Sequence, residues 1–170
     1  MEIFSEYEHA EYRYVLGNIQ DKKAKTIIYL GLNPSYATSH KHDKTTSFIT
    51  RWATTQKYEN VIFLNICPFV CTYGKDLLLE LNNSEVEINY NNILTIIKQI
   101  CPFNNYTILC AWGNDINGRE YLKDTRDKIL NLFSADERKN NFKCFGLTKK
   151  GNPKQIRCLK IDESLIDFQI

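Results

Sequence analysis

The residues of this chain best suited to chemistry are amides and hydroxyls placed where apolar runs end. Ile27-Ile28-Tyr29-Leu30 runs directly into Gly31-Leu32-Asn33-Pro34-Ser35. Glycine lets a ligand approach the backbone, proline fixes the turn, and a short amide both donates and accepts. Asn33 can hold a water against a reacting carbon or read the polar edge of a ligand. An Asx turn that caps the next segment uses the same residue types. Ser35 can cap or contact a phosphate. Asn65 closes a second apolar run, Val61-Ile62-Phe63-Leu64. Its amide offers the paired donor and acceptor that suits a nucleobase edge, or bonds the backbone in a strand-end turn. Asp43 is either a helix N-cap or a carboxylate at a pocket mouth, acting as base or ribose binder. Trp112, between Ala111 and Gly113, is a stacking platform or a core tryptophan. Lys149, Lys150, Lys154 and Arg157 surround Gly151-Asn152-Pro153, a loop able to hold phosphate or simply a solvated basic face.

The elements that must position these groups follow from hydrophobic period. Short β-branched runs at 26–30, 61–64 and 106–110 predict buried strands. Residues 142–147 predict a fourth strand and 155–161 a shorter fifth. Helical periodicity covers 44–56, 85–100 and 117–133, with Ser84 as N-cap of the second helix and Glu87 three residues on. Tyr12-Arg13-Tyr14 fits a helix or an edge strand. Strand–helix alternation implies one α/β domain over residues 1–170, three layers thick, with a mostly parallel sheet. In such sheets ligands bind outside the carboxyl ends of the strands, which is where the polar clusters fall.

Composition narrows the function classes. The chain has 170 residues, 43% of them hydrophobic and 25% charged, with net charge +2; this suits one globular domain, and so weak a basic balance neither predicts nucleic-acid binding by itself nor excludes a local basic patch. Six cysteines without a C-x-x-C pair read as free thiols in a reducing compartment, and the three histidines complete no metal set. Neither a leader nor a membrane-length apolar run is present, so a cytoplasmic protein is expected, with no cofactor and no metal. The chain lacks G-x-G-x-x-G, Walker, H-E-x-x-H and G-x-S-x-G motifs, which argues against dehydrogenase, P-loop, zincin and α/β-hydrolase chemistry.

Several of these stretches together resemble the domain of unknown function 1643 family over nearly the whole chain. They are Tyr12-Arg13-Tyr14, Leu32-Asn33-Pro34-Ser35 with Ala37, Asp43-Lys44-Thr45, Asn65, Ala111-Trp112-Gly113, Gly146-Leu147-Thr148-Lys149 and Gly151-Asn152-Pro153-Lys154. More distantly, Gly31-Leu32-Asn33-Pro34 is similar to a strand-end motif of the uracil-DNA glycosylase superfamily. That resemblance implies a uracil-DNA-glycosylase-like fold, a water held by Asn33, a base read by Asn65, and DNA or leaving-base contacts from the Gly151 loop. Members of the unknown-function family often have a histidine near the last loop, where this chain has Asn152 and Gln155, and an arginine expected shortly after Asn65 is absent, with Val70 and Cys71 in its neighbourhood. The resulting expectation is a nucleotide or nucleobase ligand, with DNA as a further partner. N-glycosidic hydrolysis by Asn33 and Asp43 is one reading; non-catalytic binding or sequestering is the other, and a partner-binding protein with a decayed site a third.

Overall fold

The computed structural model describes residues 2–5, 11–37, 41–156 and 162–169. Seven strands form one sheet: β1 Glu2–Ser5, β2 Val15–Ile19, β3 Thr26–Gly31, β4 Asn60–Asn65, β5 Tyr106–Ala111, β6 Phe142–Cys144 and β7 Ile166–Asp167. Their spatial order is β1-β2-β4-β3-β5-β6-β7. The helices are α1 Lys44–Thr55, α2 Asn83–Ile100, α3 Glu120–Leu130 and α4 Ala135–Asn141.

The three buried central strands are the ones the apolar runs predict. Alternation of period two sends their side chains to opposite faces. Ile27, Val61, Phe63 and Leu109 pack with Ile49, Trp52 and Ala53 of α1. Ile28, Leu30, Ile62, Leu64 and Ile108 pack with Ile93, Ile96 and Ile97 of α2 and Leu122 and Ile129 of α3. Because both faces are covered, the strands read as continuous apolar runs.

The expectation of a mostly parallel sheet holds only at its centre. β4–β3, β3–β5 and β5–β6 are parallel, whereas β1–β2, β2–β4 and β6–β7 are antiparallel, so the sheet is mixed. A parallel pairing needs a crossover of a dozen or more residues. Residues 20–25, between β2 and β3, are too few, and the chain instead steps over the start of β4. Asn60 pins that step: its Oδ1 accepts from Gln20 N (2.7 Å), and its Nδ2 donates to Asp21 O (2.7 Å) and Thr26 Oγ1 (2.9 Å).

Other boundaries shift for local reasons. α2 is capped by Asn82, whose side chain accepts from Ser84 N, rather than by Ser84. The predicted third helix is shorter than 117–133 because a 3-10 turn, Asn114–Gly118, takes up its start. α4 was not expected; Ser134 and Glu137 form its capping box. The fourth strand stops at Cys144, two residues before Gly146 at φ +136°, and Leu147 bridges to Pro153. Gln155 and Ile156 are not in a strand, and the rest of the predicted fifth strand lies outside the described residues. Tyr12-Arg13-Tyr14 is not helical; Tyr12 bridges to Phe69 just before β2 begins. No helix among the described residues is long and apolar enough to cross a membrane.

Candidate functional site

The site begins as a line across the sheet. Gly31 at the end of β3 is in register with Asn65 of β4 on one side and Ala111 of β5 on the other. All three share the face that carries Tyr29, Phe63 and Leu109, the face covered by α1. Two of the three are small, and the hollow is filled from below. A Cβ on Gly31 would lie 2.6 Å from Tyr29 Cε1, 2.9 Å from Tyr29 Oη and 2.8 Å from Asn65 Oδ1. Glycine is therefore required here for space, not for an unusual φ.

Beyond the sheet, Leu32 to Ala37 form a loop held from three directions. Parallel pairing continues past the strands, with Ile66 N donating to Gly31 O and Cys67 N to Leu32 O. Cys71 N donates to Pro34 O at 3.1 Å. The buried guanidinium of Arg13 donates to Ala37 O at 2.8 Å and Ser35 O at 3.4 Å. From α2, Asn89 Nδ2 donates to Asn65 O (2.9 Å) and Ile66 O (3.1 Å), pinning the neighbouring strand end.

Asn33 is locked inside this frame. Its Nδ2 donates to Cys71 O at 2.8 Å and Pro34 O at 3.0 Å, and lies 3.2 Å from Cys71 Sγ. A flipped amide would set its oxygen against two carbonyls, so the orientation is determined by the neighbours. Its Oδ1 accepts nothing from the described residues.

The loop, the sheet end and the start of α1 enclose a crevice of about 110 Å³. Tyr29 and Ala111 contribute from the sheet; Leu32, Asn33 and Ser35 from the loop; and Thr45 from α1. Cys71, Thr72 and Gly74 form one wall, and Gln155 and Ile156 another. None of these side chains is an acid or a base of the Asp, Glu, His, Lys or Arg type. Burial, and then the nearby Asp43 carboxylate, push the Tyr29 phenol above its ordinary range, while Arg13 opposes them. The phenol is protonated throughout the neutral range and can donate a hydrogen bond. Burial also raises the Cys71 thiol, against the opposing hydrogen bond to Tyr73 O, so it is a poor nucleophile at neutral pH.

The structure gathers some of the expected site residues and moves others away. Leu32, Asn33 and Ser35 line the crevice. Gly31 shapes its floor by lacking a side chain, and Pro34 is buried with its carbonyl bonded within the loop. Asn65 is 2% exposed and sits beside Gly31 rather than among the lining residues. Asp43 is the N-cap of α1, its Oδ1 accepting from Thr46 N at 2.8 Å and Thr46 Oγ1 at 3.0 Å. Trp112 belongs to the core on the opposite face, edge-on to Phe168 at 5.5 Å between centroids. Buried at 2% exposure, it offers no stacking face to a ligand; the parity of β5 puts Ala111 on the crevice side instead. Lys149 and Lys154 are exposed, with Lys154 lying along Gly146. Asn152 donates to Asn114 Oδ1 at 3.1 Å and, with Thr148, ties its loop to the end of β5. Arg157 lies outside the described residues.

Sequence reasoning missed Tyr29 and Thr72 as crevice residues, and met Cys71 and Gln155 only as positions near which the resemblance expects an arginine and a histidine. The usable signal at Tyr29 is a lone polar-tipped side chain two residues before the strand-end glycine. Gln155 reaches the crevice because Nε2 donates to Trp112 O at 3.2 Å. Its stem packs where a Cβ on Gly113 would stand, 2.7 Å away. Gly113, at φ +71°, is required both for its backbone conformation and for this contact.

The fold and site thus define a mixed α/β protein with an uncharged polar crevice at the carboxyl ends of its parallel strands. Residues 13–154 match the model of the family described as Protein of unknown function (DUF1643), and the chain belongs to that family. No curated protein and no solved structure matches it.

Proposed function

We propose that the crevice receives the base of a nucleotide-type ligand, with sugar and phosphate directed toward the exposed lysines of the 149–154 loop. The observation that carries this reading is the crevice itself: small, polar and uncharged, at the end of the parallel strands. A cavity of about 150 Å³ accepts a benzene ring, so about 110 Å³ with an open side suits one heterocycle. A phosphate would find no cation among the lining residues. Lys149 and Lys154 are exposed nearby in sequence to Gln155, in a loop docked through Gly113 N to Pro153 O at 2.9 Å.

Binding without turnover is the reading that the chemistry favours. The described crevice holds no group suited to protonate a leaving base: Asp43 is committed to its cap, and neither lysine lines the crevice. The similarity of Gly31-Leu32-Asn33-Pro34 to the uracil-DNA glycosylase superfamily supports a second reading. In it, the fixed Oδ1 of Asn33 orients a water for attack on an N-glycosidic carbon, in a nucleotide or in DNA.

One experiment separates the two. Incubation with nucleosides and nucleotides, and with base-modified DNA, is followed by melting measurements and chromatography of the recovered ligand. Sequestration predicts stabilisation with the ligand returned intact; about 2.7 kcal/mol is expected at a ligand concentration of 100 Kd. Hydrolysis predicts free base in the supernatant, lost in Asn33→Ala. A protein that neither shifts in melting temperature nor releases base would overturn the nucleobase reading.

A further inference from the structure

On the reading that the crevice takes a base, we propose that Asp115 reads the sugar: the ligand is a ribonucleotide whose 2′,3′-diol this carboxylate holds, in preference to its 2′-deoxy counterpart. Asp115 lies in the 3-10 turn Asn114–Gly118 that follows β5. A Cβ on Gly74 would stand 2.5 Å from Asp115 Oδ2, 2.9 Å from Asp115 Cβ and 2.9 Å from Leu32 Cδ2. Gly74 and Leu32 both line the crevice, and Asp115 does not. The carboxylate is thus packed against the crevice wall, at the rim rather than inside. The missing side chain at Gly74 is what lets it lie so close. Asp115 is half-buried, yet its oxygens accept from no described residue and it enters no ion pair among them.

The turn fixes this carboxylate between the two ends of such a ligand. On one side Arg119, which follows the turn, donates to Lys75 O (3.1 Å), Leu77 O (2.6 Å) and Leu78 O (3.0 Å), locking the wall that bears Gly74. On the other, Asn114 Oδ1 accepts from Thr148 Oγ1 (2.8 Å) and Asn152 Nδ2 (3.1 Å), seating the loop that carries Lys149 and Lys154. Base, sugar and phosphate are joined in that order, so a group held between the crevice and the lysines meets the sugar. The two oxygens of one carboxylate can accept from both hydroxyls of a vicinal diol, and acidic side chains hold ribose in this way in dinucleotide-binding folds. A 2′-deoxyribose offers the carboxylate one hydroxyl fewer.

The test is calorimetric titration of the full chain with adenosine, guanosine, cytidine and uridine 5′-monophosphates and with their 2′-deoxy forms. It is repeated on Asp115→Ala and Asp115→Asn, each checked for its ligand-free melting temperature. One hydrogen bond to a carboxylate corresponds to about tenfold or more in Kd. The ribonucleotide that binds best is therefore expected to bind about tenfold more tightly than its deoxy form. Asp115→Ala is expected to remove that preference by weakening the ribonucleotide more than the deoxynucleotide. Asp115→Asn, which keeps an acceptor, is expected to retain part of it. A damaged fold would instead weaken both sugars alike. Deoxynucleotides binding as well as or better than ribonucleotides would overturn the sugar selection while leaving the nucleobase reading intact. A preference unchanged in Asp115→Ala, or equal losses for both sugars, would overturn the assignment to Asp115. Absence of binding to any nucleotide of either set would overturn both.

Discussion

Single residues at this site act mainly by what they exclude. Gly31 is the clearest case, because any Cβ there meets Tyr29 and Asn65 at 2.6–2.9 Å. Gly31→Ala is expected to destabilise by about 1–3 kcal/mol through overpacking. It also displaces the Tyr29 ring that floors the crevice. Denaturant unfolding measures the first effect, and loss of ligand-induced stabilisation the second. Asp43 poses the opposite question, since a carboxylate at a pocket mouth invites a chemical role. Its bonds to Thr46 make it a cap, so Asp43→Ala should cost about 1 kcal/mol. Asp43→Asn should retain both stability and ligand binding, because asparagine caps as well as aspartate. Loss of ligand binding in a stably folded Asp43→Asn protein would return the carboxylate to the site.

Elements are tied together by side chains that satisfy strand ends and helix starts. α4 is seven residues long and depends on its capping box, in which Ser134 N and Oγ each donate to Glu137 Oε2 at 2.8 Å. Tyr106 of β5 donates to Glu137 Oε1 at 2.9 Å. The Ser134 backbone bond, with the two hydroxyls, holds the Glu137 carboxyl below its ordinary value of 4.5 against a smaller effect of burial. A carboxyl depressed in the folded state adds stability above its unfolded value, and that stability is lost as pH falls through the folded value. The stability difference between the native protein and Glu137→Gln should therefore be present at pH 6 and vanish in strong acid. Melting curves across that range test the sign. How much of the fold was legible varies by element in the same way. α1 and α2 could be read from apolar faces that recur within a few residues. β1, β2 and β7 could not, because Glu2–Ser5 and Ile166–Asp167 are too short and Gly17-Asn18 interrupts the apolar run of Val15–Ile19, and α4 is too short for periodicity to register.

At the scale of the molecule, two apolar layers enclose the sheet and bury most of the thiols. The five described cysteines are free. Burial pushes Cys67 up to about 11 and Cys101 up to about 12, and raises Cys71, Cys110 and Cys144. In a Cys158→Ser background, the native protein should react slowly with a thiol-specific disulfide reagent at pH 7.5. All five sites should titrate rapidly once guanidinium unfolds the chain. Fast reaction of one thiol in the native state would mark an opening of the structure at that cysteine, with Cys71 the one that lines the crevice.

Local order in the sequence determined the central strands, the two longer apolar helices and the turn at Asn33-Pro34. Each depends on residues within about one helical turn or one strand of one another. Tertiary structure alone decided that Gly31, Asn65 and Ala111 stand in one row, because register joins residues far apart in the chain. It also turned Trp112 into the core while Ala111 faced the crevice, since a side chain's face depends on the parity of a strand whose start the sequence marks only loosely. The same holds for the amide in the loop. The type of Asn33 is plain in the sequence, but that its amide nitrogen is spent inside the loop is set by carbonyls at Cys71 and Pro34.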